Sequence, residues 1–130
     1  MRIVLDTNVL ISGIFWKGYP YTVLELWAEK KLTVLVTPEI VQEYYGLLQR
    51  MDPASTIAKQ WMMFIVEHTA VVASSHEIRI CRDPFDDMFI NCAVVGKAKY
   101  IISGDKDLLS LKRVFGIPIV KPRQFLSMRA

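Results

Sequence analysis

Two acidic residues stand just after apolar runs that predict buried strands. Asp6 immediately follows a β-branched run at residues 2–5, and Asp105 lies three positions after the end of another run at residues 100–102. Ligands of open parallel sheets gather beyond the carboxyl ends of the strands. These acids are therefore candidates for a common site, although Asp is also favoured as a helix N-cap and capping alone is an alternative for each.

Glu43 lies on or beside the apolar stripe of a predicted helix. The helix begins after Thr37-Pro38, an N-cap followed by a proline at the first helical position. Its stripe contains Ile40, Tyr44, Leu47 and Leu48. A carboxylate on a core-facing stripe costs several kcal/mol of desolvation unless it is paired or bound to a metal. The alternative is an edge position with the carboxylate in water.

The segment Asp83-Pro84-Phe85-Asp86-Asp87 has three acids where a helix start needs one. Asp83 suits the N-cap, and Asp86 suits a capping box. Asp87 then remains, three residues before Ile90 on a second apolar stripe. This spacing favours Asp87 as the site acid, with Asp86 as the alternative.

A cluster of these acids would favour a hard divalent cation. Two carboxylates about 5 Å apart repel by roughly 3 kcal/mol at an effective dielectric constant of about 20. Oxygen-only ligands select Mg²⁺ or Mn²⁺. His68 and His76 lack metal-ligand spacing, which argues against a zinc hydrolase. Enzymes use carboxylate-bound Mg²⁺ pairs to cleave phosphodiesters.

Length and composition predict one domain over residues 1–130. The chain is 52% hydrophobic, and a domain of this size needs no disulfide or structural metal. Its two cysteines, Cys81 and Cys92, form no C-x-x-C motif. The longest apolar run, residues 61–66, is far shorter than the roughly 20 residues that span a bilayer. We therefore expect a cytoplasmic protein without a membrane segment.

The net charge of +3 is unevenly distributed, because the chain after Asp107 has five bases and no acid. A basic tail of this kind suits contact with nucleic acid or simply improves solubility. If the partner is RNA, bases must offset the repulsion of the acidic site. The candidates are Lys106, Lys112, Arg113, Lys121 and Arg123.

Strands and helices alternate along the chain. The predicted strands are residues 2–5, 33–36, 69–73, 100–102 and 118–120, and the predicted helices are residues 21–31, 38–50, 54–68, 84–95 and 105–109. Such alternation is typical of β-α-β units. The predicted fold class is α/β, a three-layer α/β/α sandwich with a parallel sheet of four to five strands and helices on both faces.

The order of these motifs resembles the PIN domain family over essentially the whole chain. The resemblance rests on residues 3–10, the helix with Glu43, residues 87–93 and residues 101–109. Matched position by position, the family's acidic quartet falls on Asp6, Glu43, Asp87 and Asp105, with Asp107 and possible participation of Asp86 as further ligands and Asn8 and Ser103 as supporting residues.

The resemblance also implies an activity and partners. PIN domains of this kind are Mg²⁺- or Mn²⁺-dependent endoribonucleases, with one or two ions that activate a water. Many small bacterial and archaeal members resemble the VapC toxins of type II toxin–antitoxin pairs. The resemblance therefore implies a PIN-like fold, an RNA substrate, a homodimer and a cognate antitoxin.

Two other functions remain open from the sequence. A haloacid-dehalogenase-type phosphatase also begins with a strand-end Asp, but it needs a second acid where this chain has Asn8. An interaction module with a catalytically weak site is the other alternative. Its binding groove would use Phe15, Trp16, Tyr19, Tyr21 and residues 62–64, which are equally compatible with core packing.

Overall fold

The computed structural model describes residues 1–54 and 56–129, which form a six-stranded sheet in the order β3-β2-β1-β4-β6-β5. The strands are β1 (Arg2–Leu5), β2 (Thr33–Val36), β3 (Thr69–Val71), β4 (Tyr100–Ile102), β5 (Arg113–Val114) and β6 (Ile117–Val120). The helices are α1 (Thr7–Phe15), α2 (Gly18–Ala28), α3 (Pro38–Met51), α4 (Thr56–His68), α5 (Asp87–Gly96), α6 (Lys106–Ser110) and α7 (Pro122–Met128), with a 3-10 turn at Pro84–Asp86.

The predicted three-layer α/β/α class is confirmed. All strand pairs are parallel except β5 with β6, so the parallel part has five strands, within the predicted number. The two-residue β5 forms an antiparallel hairpin with β6 and was not predicted. Ser55, in the predicted helix 54–68, and Ala130, at the end of the predicted domain, lie outside the described residues.

The side of β1 on which the chain adds new strands changes after β3. From β1 it adds β2 and then β3 on one side, and it returns to place β4 on the other side. In parallel sheets such a switch point opens a crevice at the carboxyl ends of the two central strands. Here those strands are β1 and β4, which lead to Asp6 and Ser103.

Two helices were missing from the sequence prediction. Residues 7–15 form α1 although they lack the amphipathic pattern of a surface helix, because Val9, Leu10 and Ile11 are all buried. A helix buried on most sides has no polar face to set the 3.6-residue period. The other missing helix, α7, starts at Pro122 and is only seven residues long.

The second helix starts three residues before its predicted boundary. Gly18, Tyr19 and Pro20 form the first turn of α2 rather than a break before it. Proline is compatible with a first turn because the N–H that it lacks would have no intrahelical partner there.

The core lies between the sheet and the helices that cover it. Strands β1, β2 and β4 are almost wholly buried, and α5 packs against all three. Within the described ranges, no helix has the length and apolarity needed to cross a membrane.

Candidate active site

Asp6 leaves β1 at the switch point and is fixed there by the neighbouring strand. Its backbone N–H donates to the Ile102 carbonyl at 3.0 Å, which continues the β1–β4 register one residue past the strand. Its carboxylate Oδ1 accepts the Asn8 N–H at 3.1 Å and caps α1. The capping role and the site position therefore coincide in one residue.

Ser103 connects Asp6 to Asp105. The Ser103 hydroxyl donates to Oδ2 of Asp6 at 2.6 Å and accepts the backbone N–H of Asp105 at 3.0 Å. Its own backbone N–H donates to the Val120 carbonyl of β6 at 2.9 Å. Ser103 is fully buried, so this hydrogen-bond chain across the ends of three strands is shielded from water.

Asp105 has the same double role as Asp6. Its Oδ2 accepts the Leu108 N–H at 3.0 Å and caps α6, while its charge acts on Asp6. Burial raises the pKa of Asp6, and the charge of Asp105 adds to this rise. The hydrogen bonds from Ser103 and Asn8 act in the opposite direction, because they stabilise the ionised carboxylate.

Asp86, the alternative acid of the third motif, lies near enough to these carboxylates for their charges to raise its pKa. Partial burial raises the pKa of Asp86 to about 6, and the charges of Asp105, Asp83, Asp6 and Asp107 contribute in that order. Asp86 also precedes α5, but its side chain makes no capping bond to that helix. Its carboxylate is therefore half-buried among like charges.

Asp87 is held differently, although it is the next residue. Its Oδ1 accepts the backbone N–H groups of Ile80 at 3.0 Å and Cys81 at 2.9 Å. Burial alone would raise the pKa of Asp87, but these hydrogen bonds outweigh it and the pKa is lowered. Asp87 thus anchors the preceding segment to the start of α5.

Asn91, one helical turn after Asp87, continues this anchoring and was missed by the sequence analysis. Its Oδ1 accepts the Ile78 N–H at 3.0 Å, and its Nδ2 donates to the Ile78 carbonyl at 3.0 Å. The amide thus occupies both backbone groups of Ile78, as a neighbouring strand would. We call residues 74–83 the strap, because side chains of α5 hold this irregular segment in place. In the sequence, the sign of this anchoring role was a polar asparagine within an apolar helical segment.

Glu43 borders a cleft with Asp87 rather than the Asp6–Ser103–Asp105 chain. This larger cleft, about 990 Å³ in volume, is lined by α3, the strap and the start of α5, including Glu43, His76, Arg79, Asp87 and Asn91. His76 Nε2 lies 3.5 Å from Glu39 Oε1 across its rim. The structure therefore places two members of the predicted quartet, Glu43 and Asp87, on one side of the acidic cluster.

Tyr44 ties the Glu43 helix to the end of β1. Its hydroxyl donates to the Leu5 carbonyl at 2.6 Å, immediately before Asp6, and the side chain is fully buried. Burial, with smaller effects of Cys92 and Asp6, raises the pKa of Tyr44 well above its ordinary value of 10.0. The sequence placed Tyr44 on the buried stripe, but not its hydroxyl at the site.

A smaller cleft lies on the other side of Asp105. Its volume is about 510 Å³, and its lining includes Asn8, Ser12, Asp105, Lys106 and Asp107. Pro20 of α2 and Pro122 of α7 complete its rim. Asn8 and Asp107 are thus brought to this cleft.

The predicted basic residues lie on different elements of the fold. Lys106 lines the smaller cleft, and Lys121 and Arg123 follow the carboxyl end of β6. Arg113 instead donates from Nη1 to the Gly116 carbonyl at 3.2 Å, in the hairpin turn before β6. Lys112 precedes that hairpin in a left-handed conformation, with φ of 61°.

The donor chemistry of the acidic cluster fits a divalent ion of the Mg²⁺ or Mn²⁺ type. Asp6, Asp86 and Asp105 offer carboxylate oxygens, and none of them forms an ion pair in the described part of the chain. Burial first, and then the like charges of the neighbouring acids, raise the pKa of Asp86. Over residues 1–54 and 56–129, however, no three potential ligands lie close enough together to hold an ion without a movement of side chains.

The fold and the site together define a class: parallel α/β proteins with an acidic cluster at the switch point between their central strands. Residues 2–107 match the sequence model of the PIN domain, which covers most of the chain. The chain belongs to the PIN domain family, whose members are generally nucleases.

One similar sequence and one similar structure extend this comparison. The chain is 33% identical over 119 residues to the uncharacterised protein MJ1680 of Methanocaldococcus jannaschii, covering 86% of this chain and 76% of the relative. It also resembles the crystal structure of VapBC2 from Rickettsia felis bound to a promoter DNA fragment. That structure superposes with a TM-score of 0.67 and 16% identity over 92% of this chain and 97% of the other.

Proposed function

We propose that this protein is a Mg²⁺- or Mn²⁺-dependent endoribonuclease. The carrying observation is the hydrogen-bond chain Asp6–Ser103–Asp105 at the switch point, with the half-buried Asp86 near it. Membership of a generally nucleolytic family supports the reaction class.

In this proposal, Asp6, Asp105 and Asp86 hold the ion, and Asp107, Glu43 and Asp87 approach from the two clefts. A bound divalent ion supplies a Lewis acid that activates water and offsets negative charge at the reacting phosphate.

Ser103 holds one oxygen of Asp6 and the backbone of Asp105, so the two carboxylates keep a fixed position relative to each other. Asn8 fixes the other oxygen of Asp6.

The substrate would be drawn in by the bases beside the cluster. Lys106, Lys121 and Arg123 lie at the same edge of the sheet as the acids, and they suit contact with RNA phosphates. Lys112 and Arg113 would contact RNA only if it extended to the β5–β6 hairpin.

We further propose that the nuclease is the toxin of a type II toxin–antitoxin pair, active as a cytoplasmic homodimer. The shared fold with VapBC2 supports this proposal. An adjacent short reading frame for a DNA-binding protein would support it independently. Release of growth arrest when that neighbour is co-expressed would test it.

One observation favours a second candidate, an interaction module with a weak site. The carboxylates are not gathered into a ligand set in the described residues. In such a module the acidic cluster would bind a basic partner segment, and purified protein would not cut RNA at any metal concentration.

Cleavage of a fluorescent single-stranded RNA by purified protein separates these candidates. We expect cleavage with Mn²⁺ or Mg²⁺, none in excess EDTA, and a loss of at least about 100-fold in Asp6→Asn. Glu29→Gln is the matched control, because it removes one negative charge at a surface pair with Lys31 and should cleave normally. Full activity of Asp6→Asn, or turnover in EDTA, would refute the nuclease proposal.

A further inference from the structure

An exposed aromatic ring stands beside an arginine, and each is next in the chain to a residue that lines the smaller cleft. Tyr19, in the first turn of α2, is 52% exposed, so its ring is accessible to a ligand. The guanidinium carbon of Arg123, in α7, lies 5.7 Å from the centre of the Tyr19 ring. This distance is typical of a cation–π contact.

The pair lies close to the acids. Pro20 and Pro122, the chain neighbours of Tyr19 and Arg123, line the smaller cleft together with Asp105. A nucleotide stacked on Tyr19 would therefore lie within a short length of chain from a phosphate at the acidic cluster.

The surrounding packing holds the backbone of this first turn in a fixed place. Helices α1 and α2 cross closely at Gly13, where a Cβ would come within 2.6 Å of Leu24 Cδ1 and 3.0 Å of the Pro20 carbonyl carbon. Before α2, Lys17 adopts a left-handed φ of 62°, and its Nζ lies 4.5 Å from the centre of the Tyr21 ring. Helix α2 also packs against α7. A residue on a packed helical turn loses little backbone entropy when a ligand binds to it.

From this geometry we propose that Tyr19 and Arg123 form a stacking platform for one base of a single-stranded RNA beside the active site. The inference rests on the proposed ribonuclease function and specifies its substrate. A tyrosine ring stacks on any base, and Arg123 adds a positive charge for the adjoining phosphate. Stacking on a side chain requires an unpaired base, so the platform selects single strands over duplex.

Fluorescence of 2-aminopurine tests the platform directly. The probe is placed at successive positions of a single-stranded RNA, and binding is measured in EDTA so that the RNA stays intact. We expect quenching at one position for the wild-type protein and for Tyr19→Phe. Tyr19→Leu should abolish that quenching and weaken binding about tenfold. Arg123→Ala should weaken binding and reduce the slope of log K against log salt by about 1.

Phe115→Leu is the matched control. Phe115 is another exposed ring, 68% accessible, but it lies in the turn between β5 and β6, before the strand whose far end leads to Arg123. Its substitution should leave quenching and affinity unchanged. Equal quenching with duplex RNA, persistence of the signal in Tyr19→Leu, or an equal loss in Phe115→Leu would overturn the platform.

The platform and the nuclease proposal fail in distinguishable ways. If Tyr19-dependent quenching occurs but Mg²⁺ and Mn²⁺ give no cleavage, the platform stands and the nuclease proposal is wrong. If the wild-type protein cuts RNA and Tyr19→Leu cuts it with the same KM and kcat, the nuclease proposal stands and the platform is wrong.

Discussion

The Ser103 hydroxyl donates a 2.6 Å hydrogen bond to Oδ2 of Asp6, although 97 positions separate the two residues in the chain. The bond links the ends of β1 and β4, whose register brings Leu5 opposite Ile102. It therefore couples the sheet topology directly to the orientation of one acid of the site.

Ser103→Ala should weaken divalent-ion binding about tenfold, since loss of a residue that orients a metal ligand typically costs 10- to 100-fold. The binding of Mn²⁺ can be followed by electron paramagnetic resonance. Ser103→Thr, which keeps the hydroxyl, should retain most of the affinity. Ser110→Ala is a control, because its hydroxyl donates only to the Asp107 carbonyl at the surface. Unchanged Mn²⁺ affinity in Ser103→Ala would contradict the orienting role.

Asp86→Asn and Asp87→Asn should change stability in opposite directions. The pKa of Asp86 is about 6 in the fold, above its ordinary 3.8, so the folded chain binds more protons between these values. Stability therefore falls as the pH rises from about 4 to about 6, and Asp86→Asn should avoid this loss. Without metal at pH 7.5 we expect a gain of about 1 kcal/mol after allowance for solvent screening, or a few degrees in Tm.

Asp87 has a lowered pKa, so its stabilising effect is present above the pKa of the unfolded chain and is lost as the pH falls. Asp87→Asn should therefore lower Tm at pH 7.5. Thermal unfolding in EDTA at pH 7.5 and at about pH 4 measures both effects. The gain in Asp86→Asn should largely disappear at pH 4, whereas the loss in Asp87→Asn should largely remain, because the pKa of Asp87 lies below 3.8. Destabilisation by both substitutions at pH 7.5 would contradict the different placement of the two acids.

Tyr44→Phe should reduce the free energy of unfolding by about 1–2 kcal/mol, because it leaves the buried Leu5 carbonyl without its 2.6 Å donor. Tyr45→Phe is the matched control. The Tyr45 hydroxyl donates to the Met62 carbonyl at a longer 3.2 Å in a partly buried setting, so its loss should cost less. Urea denaturation compares the two variants, and an equal or smaller cost for Tyr44→Phe would argue against its role in fixing α3.

Asn91→Ala should release the strap from α5. Both backbone groups of Ile78 would lose their side-chain partner, so its amide hydrogen should exchange faster and the strap should be cut more readily by protease. Hydrogen exchange with peptide resolution measures this, with the β1 peptide as an internal reference. Equal acceleration in the strap and in β1 would indicate global destabilisation instead.

Gly13→Ala should destabilise the corner between α1 and α2. The added Cβ meets Leu24, which is only 1% exposed, and the backbone of Pro20, so a shift of the helix is required. Overpacking of this kind typically costs 1–3 kcal/mol. Gly46→Ala is a control that should have the opposite effect, because open space surrounds Gly46 in α3. This substitution should stabilise the folded protein by roughly 0.5–1 kcal/mol. Thermal unfolding of both variants checks the contrast.

The helices and strands that could be predicted were those marked by cap residues or apolar runs in the local sequence. Thr37 and Pro38 marked the start of α3, and the structure shows the Thr37 hydroxyl accepting the Ile40 N–H. Apolar runs marked β1, β2 and β4, since strands buried on both faces are continuous in hydrophobicity. Helix α1 gave no such signal, because burial removed the polar face on which helical periodicity depends.

The sequence by itself determined the α/β class and which residues were available for chemistry at the strand ends. It favoured Asp87 over Asp86 but could not show what surrounds either acid, because both lie at the start of one helix and differ by about 100° around it. Only the tertiary structure decided these surroundings, since the N–H groups of the strap bind Asp87 while the charges of Asp105 and Asp6 act on Asp86. Spacing along a chain fixes the face of a helix, but the partners of that face come from segments distant in sequence.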